Sequence, residues 1–186
     1  MKDYVALTKP RITVLILICT AVGFFFGVQD SFSWVVFLHT LIGTGLLASG
    51  TAALNQWYER DADALMRRTC NRPIPAGRIA AWPAFLFGTA LAIIGLVELL
   101  VWVNKPAAVL GLATLISYLF LYTPLKRRSP HSTSIGAVPG AMPPLIGYAA
   151  ACGRIDPPAL VLCAILFIWQ FPHFYAIAWM YRDDYA

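Results

Sequence analysis

An apolar run and the charged segment that follows it extend from residue 34 to residue 78 and read WVVFLHTLIGTGLLASGTAALNQWYERDADALMRRTCNRPIPAGR. The apolar run comes first, and a helix needs about 20 such residues to cross a bilayer. The charged segment, from Asn55 to Arg78, holds three acids and five arginines. A charged segment that directly follows a membrane-length apolar run predicts a transmembrane helix whose polar end reaches the membrane surface.

The spacing of the polar residues in this segment predicts a metal site. Asn55, Glu59 and Asp63 are spaced at i, i+4 and i+8, which on a helix places them within about 80° of one another and spreads them along about 12 Å. Asp61 would point to the opposite side. Mg²⁺ prefers oxygen ligands and is commonly shared between carboxylates and substrate phosphates, and the nearby arginines could hold those phosphates. A charged loop that only orients the protein in the bilayer would explain the arginines but not the acids.

The composition predicts an all-α polytopic membrane helix bundle. Of the 186 residues, 59% are hydrophobic and 12% are charged, whereas soluble domains carry about 25% charge. The basic residues are dispersed among separate loops, so the net charge of +5 does not indicate nucleic-acid binding. The four cysteines form no C-x-x-C pair and are expected to be unpaired thiols. Six spans are expected, at about 12–28, 34–57, 81–103, 107–125, 133–152 and 157–180.

The connections between these spans alternate in charge. The N-terminus, the second–third loop, the fourth–fifth loop and the tail together hold twelve of the fourteen Lys and Arg residues, and the other three connections hold only Lys105 and Arg154. Because positively charged loops remain in the cytoplasm, the first group is predicted to face it. The acidic motif then lies on the side where phosphorylated substrates and Mg²⁺ are found.

The fifth and sixth spans have unusual composition. The fifth carries three prolines and three glycines, which predicts either close helix packing through a G-x-x-x-G step at Gly136 and Gly140 or a bent helix that lines a cavity. In the sixth span His173 follows Pro172. His173 could bond a backbone carbonyl that the proline leaves free, or it could bind or exchange protons with a substrate inside the bilayer.

Several segments together resemble one branch of the UbiA superfamily of intramembrane prenyltransferases, the protohaem IX farnesyltransferases (haem O synthases). The resemblance extends through nearly the whole chain. Its segments are LTKPRI at 7–12, N-x-x-x-E-x-x-x-D at 55–63, M-x-R-T-x-N-R-P at 66–73, PAGRI at 75–79, YTPLKRRSP at 122–130, PGAMPPLIGY at 139–148 and WQFPHFYAIAW at 169–179. The Asn–acid–acid motif marks the superfamily, and the K-R-R-[ST]-P and P-H-F-Y segments are specific to the haem branch.

The resemblance implies an activity and roles for particular residues. The farnesyl group of farnesyl diphosphate would be joined to a vinyl group of haem b, with water adding, to give haem O and diphosphate. Asn55, Glu59 and Asp63 would hold Mg²⁺ and diphosphate, and His173 would contact haem or assist proton transfer. The implied diphosphate partners are Arg67, Arg72, Lys126 and Arg127. Aromatic faces stabilise an allylic cation without attacking it, and the aromatic candidates are Trp57, Tyr118, Tyr122, Phe171 and Tyr175.

The sequence departs from the family pattern in three places. Position 59 is Glu where the superfamily usually has Asp, and this longer side chain still coordinates Mg²⁺. The segment that matches the second motif is P-H-F-Y at 172–175, with no acid before Asp183, so the second set of metal ligands is open. The family fold has nine spans, so residues 1–186 are expected to form a single prenyltransferase domain that is incomplete at its C-terminus and inactive alone.

The expected location and partners follow from the same resemblance. The sequence lacks a transit-peptide pattern, which favours a bacterial inner membrane over a mitochondrial one. The substrates would be farnesyl diphosphate and haem b, and the remaining partner is the lipid bilayer. An association with haem A synthase or with terminal oxidase assembly would fit the resemblance, although no residue of the sequence indicates it.

Two alternative functions remain open from the sequence. The same chemistry could act on another acceptor, such as 4-hydroxybenzoate or a chlorin, although the P-H-F-Y segment favours haem. A protein of another class, a transporter or channel, could build an ion site from Glu59 and Asp63. Such sites usually lie near the membrane midplane. These acids are predicted at a helix end beside arginines, which favours diphosphate.

Overall fold

The computed structural model describes residues 1–125 and 132–180, and these residues form helices and connecting loops with no strand among them. The helices are α1 (Lys2–Leu7), α2 (Pro10–Gly27), α3 (Trp34–Asp63), α4 (Ala81–Trp102), α5 (Lys105–Ile116), a π-helical segment (Ser117–Tyr122), α6 (Thr123–Leu125), α7 (Ser132–Cys152) and α8 (Pro157–Met180). Within these ranges, six helical stretches are long and apolar enough to cross a membrane. The predicted all-α bundle and its six spans are confirmed.

The second span is longer than its apolar run. The sequence predicted a span at 34–57, whereas α3 continues to Asp63 and includes the acidic motif. Ser33 begins this helix, and its hydroxyl accepts a hydrogen bond from the backbone N–H of Val36. No proline or glycine interrupts the helix after Gly50. The acids therefore belong to the same continuous helix that crosses the membrane.

Small residues let the helices approach closely at two interfaces. Where α3 packs on α4, a Cβ at Gly50 would lie 2.5 Å from the backbone nitrogen of Ala92. Where α7 packs on α2, a Cβ at Gly147 would collide with the carbonyl oxygen of Thr20. Because lipid gives no hydrophobic drive for helices to associate, backbone contacts of this kind hold a membrane bundle together.

Helix α7 occupies the centre of the described bundle, packed against α2, α5 and α8. At the C-terminal end of α7, the carbonyl oxygens of Ala149 and Ala150 accept hydrogen bonds from the side chain of Asn104 at 2.9 and 3.0 Å. Asn104 also caps α5. In the second turn of α7, the carbonyl oxygen of Ala137 accepts a hydrogen bond from the amide of Gln170 in α8 at 3.0 Å. These bonds satisfy polar groups within the bundle, where water is scarce.

The loop from 64 to 80 folds back onto the end of the bundle. Ile74 and Ile79 are buried against Leu7 of α1 and Ala53 of α3, and Arg78 in this loop donates to Asp3 at 2.7 Å. The loop and α1 therefore cover the end of α3 that carries the acids. We call this end of the bundle the motif end.

At the opposite end of the bundle, an acid inside a span has a partner. Glu98 of α4 lies 2.6 Å from Nδ1 of His39 in α3, and the His39 ring stacks on Trp102 with centroids 5.0 Å apart. Acids in membrane spans are costly unless they are paired. This contact therefore joins α3 to α4 at the end far from the acidic motif.

Replacing Gly147 with Val should destabilise the bundle, because the new side chain must displace the backbone of α2. We expect the melting temperature in detergent to fall by roughly 5 °C or more. Gly45→Ala is the matched control, since a Cβ there meets only Leu17 at 3.4 Å. An unchanged melting temperature for Gly147→Val would contradict the close α2–α7 contact.

Candidate active site

The three polar residues of the acidic motif lie together on one buried face of α3. Asn55, Glu59 and Asp63 are all buried, whereas the side chain of Asp61 is 85% exposed. The periodicity of one uninterrupted helix produces this difference, because positions four apart are neighbours and a position two residues away points elsewhere. The sequence-predicted metal face is thus a single strip of oxygen atoms at the motif end.

Asp63 is held by the loop that follows it. The Arg72 guanidinium lies 2.5 Å from Oδ2 of Asp63, and the hydroxyl of Thr69 donates to the Asp63 carbonyl oxygen at 2.9 Å. The short distance and the burial of Asp63 make this a charge-assisted hydrogen bond. Of the other arginines predicted to bind diphosphate, Arg67 is exposed on the same loop. Lys126 and Arg127 lie outside the described residues.

Asn55 contacts two residues that are distant in sequence. Its Nδ2 donates to the Thr123 hydroxyl at 3.3 Å, and its Oδ1 accepts from Nζ of Lys9 at 3.2 Å. Lys9 precedes Pro10 and has a φ of 48°, in the left-handed region that non-glycine residues rarely adopt. Backbone outliers of this kind concentrate at functional sites.

Lys9 is a site residue that the sequence reasoning missed. The excess of positive charge in cytoplasmic loops accounts for any lysine at a membrane edge, so the sequence indicates no other role for Lys9. The position of Lys9 immediately before Pro10 in the LTKPRI segment was the available clue. Its contact with Asn55, 46 residues away, depends on how α2 packs against α3.

A cavity of about 340 Å³ begins at Lys9 and extends into the bundle. It is largely apolar and is lined by α2, α3, α5, the π-helical segment, α7 and α8. His173 lines it, and the His173 ring stacks on Trp169 with centroids 4.8 Å apart. Gly136 and Gly140 of the fifth span line the cavity and also pack closely against Tyr122 and Gln170, so this span both lines a cavity and packs through small residues.

The predicted aromatic residues divide into two groups. Tyr118 and Tyr122, both in the π-helical segment, line the cavity with ring centroids 5.3 Å apart. π-Helical turns frequently occur at functional sites because they change which side chains face inward. Trp57 packs instead on Phe85. Phe171 packs on Phe167 and does not line the cavity.

The structure places Tyr175, predicted to bind substrate, outside the cavity, where it is 63% exposed. The physical reason is that two residues along a helix correspond to a rotation of about 200°. His173 and Tyr175 in α8 therefore face in opposite directions. The residue beside His173 that lines the cavity is Phe174.

The donor atoms at the motif end fit Mg²⁺ when it is shared with a phosphate group. Within residues 1–125 and 132–180, no three His, Cys, Asp or Glu side chains converge on one point. The strip on α3 offers two carboxylates, from Glu59 and Asp63, and one carboxamide. Mg²⁺ is usually bound by one or two carboxylates together with water and substrate phosphates rather than by an all-protein cage. The residues present suit that mode of binding.

Comparison with curated proteins gives relatives across the whole chain. A protein named protoheme IX farnesyltransferase from Solibacter usitatus is 59% identical over the full chain, which covers 67% of that relative. Proteins of the same name from Koribacter versatilis and Aquifex aeolicus are 46% and 44% identical, and the chain covers 61% and 64% of their lengths. The chain thus spans about two thirds of the length of these relatives.

Solved structures share the fold. A digeranylgeranylglyceryl phosphate synthase matches 91% of this chain and 59% of its own, with a TM-score of 0.80 at 18% identity. A UbiA homologue from Archaeoglobus fulgidus, solved with GPP and Mg²⁺, matches 98% of this chain and 65% of its own, with a TM-score of 0.78. The model of the UbiA prenyltransferase family matches residues 16–186. Family model, relatives and fold agree, and the chain belongs to the UbiA prenyltransferase family.

Proposed function

We propose that the whole protein transfers the farnesyl group of farnesyl diphosphate to a vinyl group of haem b, giving haem O and diphosphate. The observation that carries the proposal is the buried strip of Asn55, Glu59 and Asp63, which is joined to an apolar cavity through Lys9. Lys9 lines that cavity and donates to Asn55, and Arg72 pairs with Asp63. The names of the relatives support haem as the acceptor. The acids lie at the end of α3 and not at its middle, where a transporter's ion site would be expected.

The polar mouth suits a diphosphate leaving group. Farnesyl transfer breaks the bond between C1 of the farnesyl chain and the diphosphate oxygen, and the diphosphate leaves with the electron pair. Lys9 and Arg72 supply cationic donors where that negative charge develops. Mg²⁺ held by Glu59, Asp63 and the Asn55 carboxamide would neutralise further charge on the leaving group.

The apolar cavity suits the carbon skeleton. The developing allylic cation needs a site that excludes water and offers no nucleophile. Tyr118 and Tyr122 line the cavity, and aromatic rings can stabilise a cation without attacking it. The vinyl π bond of the acceptor then forms the new bond to C1. Water adds to the resulting carbocation and loses a proton, which completes the hydroxyethylfarnesyl group of haem O.

His173 is proposed to act on the acceptor. It lines the cavity on α8, away from the acids of α3, and its stacking on Trp169 fixes the plane of its ring. A neutral imidazole there can accept the proton that the added water loses, or contact the haem. We further propose that the motif end faces the cytoplasm of a bacterial inner membrane, because most loop Lys and Arg residues accompany it.

The first prediction separates the two faces of α3. Asp63→Asn in the whole protein should lower turnover at least about 100-fold, because the variant loses a metal-binding charge and the partner of Arg72. Asp61→Asn, whose side chain is exposed on the other face, should change turnover less than about twofold. Haem O formation in membranes, normalised to protein amount, measures both variants. Equal losses would contradict the metal strip.

The second prediction concerns Lys9. Lys9→Met keeps the length of the side chain but removes its charge, and we expect the affinity for farnesyl diphosphate to fall about tenfold. Lys2→Met, in the same N-terminal segment but exposed, is the control and should bind normally. Titration calorimetry with a non-hydrolysable farnesyl diphosphate analogue in the presence of Mg²⁺ gives both constants. Equal affinities in the two variants would remove Lys9 from the site.

The third prediction concerns His173. His173→Ala should impair the use of haem b, seen as a raised KM or a lowered kcat with haem varied, by roughly tenfold or more. Binding of the farnesyl diphosphate analogue should change less than about threefold. Tyr175→Phe, two residues away but outside the cavity, should leave both values unchanged. A His173→Ala variant that fails only in diphosphate binding would contradict this role.

A further inference from the structure

Thr123 lies where the π-helical segment meets the polar strip on α3. The residue is 1% exposed and begins α6 directly after Tyr122. Its backbone N–H and its hydroxyl both donate to the carbonyl oxygen of Tyr118, the hydroxyl at 2.7 Å. The hydroxyl oxygen of Thr123 in turn accepts a hydrogen bond from Nδ2 of Asn55 at 3.3 Å. One side chain therefore joins the π-helical wall of the cavity to the first residue of the strip.

The π-helical turn sets the direction of the Thr123 hydroxyl. Inside the α-helices, Thr20, Thr40 and Thr51 donate to the carbonyl oxygen four residues earlier, at 2.7 to 2.9 Å. The Thr123 hydroxyl donates to a carbonyl five residues earlier, which is the spacing of a π-helical turn. Pro124 follows and has no backbone N–H with which to continue the α-helical pattern. Because the hydroxyl proton is used within its own helix, the oxygen remains an acceptor for a donor from α3.

These hydrogen bonds determine which way the Asn55 amide points. A lysine ammonium group has only donors, so the atom that faces Lys9 is the amide oxygen Oδ1. The Thr123 hydroxyl uses its proton on Tyr118, so the atom that faces Thr123 is the donor Nδ2. A reversed amide would place two donors against each other at Lys9 and two acceptors against each other at Thr123. Both hydrogen bonds would then be lost in a buried position, which is unfavourable.

The two partners of Asn55 differ in how firmly they are held. Lys9 has a flexible side chain that carries a strongly hydrated charge, so a bound diphosphate can draw its ammonium group away from Asn55. Thr123 is a short, buried side chain bonded to its own backbone, and its contact with Asn55 does not depend on a ligand. When Lys9 turns to an anion, Thr123 is the partner that keeps Oδ1 of Asn55 directed away from the π-helical segment.

We infer that Thr123 is a positioning residue, which holds the Asn55 carboxamide with its oxygen towards the metal and diphosphate site. A cation is bound by the amide oxygen and repelled by the amide N–H groups, so the orientation decides whether Asn55 contributes to the site. Thr123 acts through Asn55 and needs no contact with the substrate. This inference rests on the proposed function, because it assumes that Mg²⁺ and a prenyl diphosphate bind beside Asn55.

The test measures how tightly variants of the whole protein bind a non-hydrolysable farnesyl diphosphate analogue with Mg²⁺. Thr123→Val keeps the shape but removes the hydroxyl, and the affinity should fall roughly tenfold. Thr123→Ser keeps the hydroxyl and should bind within about twofold of the wild type. Thr40→Val is the matched control, because Thr40 is also buried and loses a hydrogen bond to its own helix, outside the cavity. Equal affinities for Thr40→Val and Thr123→Val would overturn the inference.

A double-mutant cycle separates positioning from a general effect on the fold. Asn55→Ala removes the amide that Thr123 orients and should itself weaken binding of the analogue. Adding Thr123→Val to Asn55→Ala should then cost less than about twofold more, because the two residues act as one unit. A Thr123 residue that only supported the fold would cost the full factor again. If Thr123→Val does not fold, Thr123→Cys replaces it, and its weakly accepting thiol should lower the affinity at least about threefold.

The outcomes distinguish the two proposals. If the wild-type protein does not bind the analogue, the proposed function fails and this inference fails with it. If the wild type binds it but the Thr123 and Asn55 losses are additive, only the positioning role is overturned. A Thr123→Ser variant as weak as Thr123→Val, or a Thr123→Cys variant as tight as the wild type, overturns the positioning role as well.

Discussion

The rest of the structure depends on the continuity of α3 from Trp34 to Asp63. In lipid a backbone must satisfy its own hydrogen bonds, so an apolar run of this length is helical. Because the helix does not end at the membrane surface, its periodicity extends through the polar residues. The acids at its end and the cavity wall at its middle are consequently parts of one face, in a fixed register. The proposed order of diphosphate at the mouth and carbon chain in the interior follows from that register.

The cavity forms because small residues bring some helices into close contact while larger residues keep others apart. Glycines bring α2 against α7 and α3 against α4 until their backbones touch, which leaves the larger side chains to set the spacing elsewhere. In the N-terminal half of α7, Gly136 and Gly140 leave space for the Tyr122 ring and the Gln170 amide. Pro139 and Pro143 of the same helix also line the cavity. Proline and glycine in a membrane helix are tolerated where they line a cavity or pack on neighbours, and α7 does both.

The polar groups at the motif end of α3 have cationic partners from two other segments. Burying a carboxylate is costly unless a cation or hydrogen-bond donor accompanies it. Asp63 has Arg72 from the following loop, and Asn55 has Lys9 from the start of α2. Arg72 lies in the loop and Lys9 follows α1. These two segments pack together through Leu7 of α1 and Ile74 and Ile79 of the loop. An apolar cluster that joins α1 and the loop to Ala53 of α3 therefore positions the ionic groups.

Features that depend on local periodicity can be predicted from the amino-acid sequence alone. Chain composition predicted a helical membrane bundle and its spans, and the i, i+4, i+8 spacing predicted that Asn55, Glu59 and Asp63 share a face while Asp61 does not. Both follow from the hydrogen bonding of a single helix, which needs no knowledge of its neighbours. The same periodicity predicts that Tyr175 points away from His173, because two residues along a helix correspond to a rotation of about 200°.

Only the tertiary structure decided which distant residues meet. Lys9 and Thr123 both form hydrogen bonds with Asn55, to which neither is close in sequence. Neither of these contacts follows from the periodicity of a helix. They depend on how deeply each helix is set against the next and on the path of the connecting loops. That depth is fixed by backbone contacts at particular glycines, which the sequence shows only as small residues.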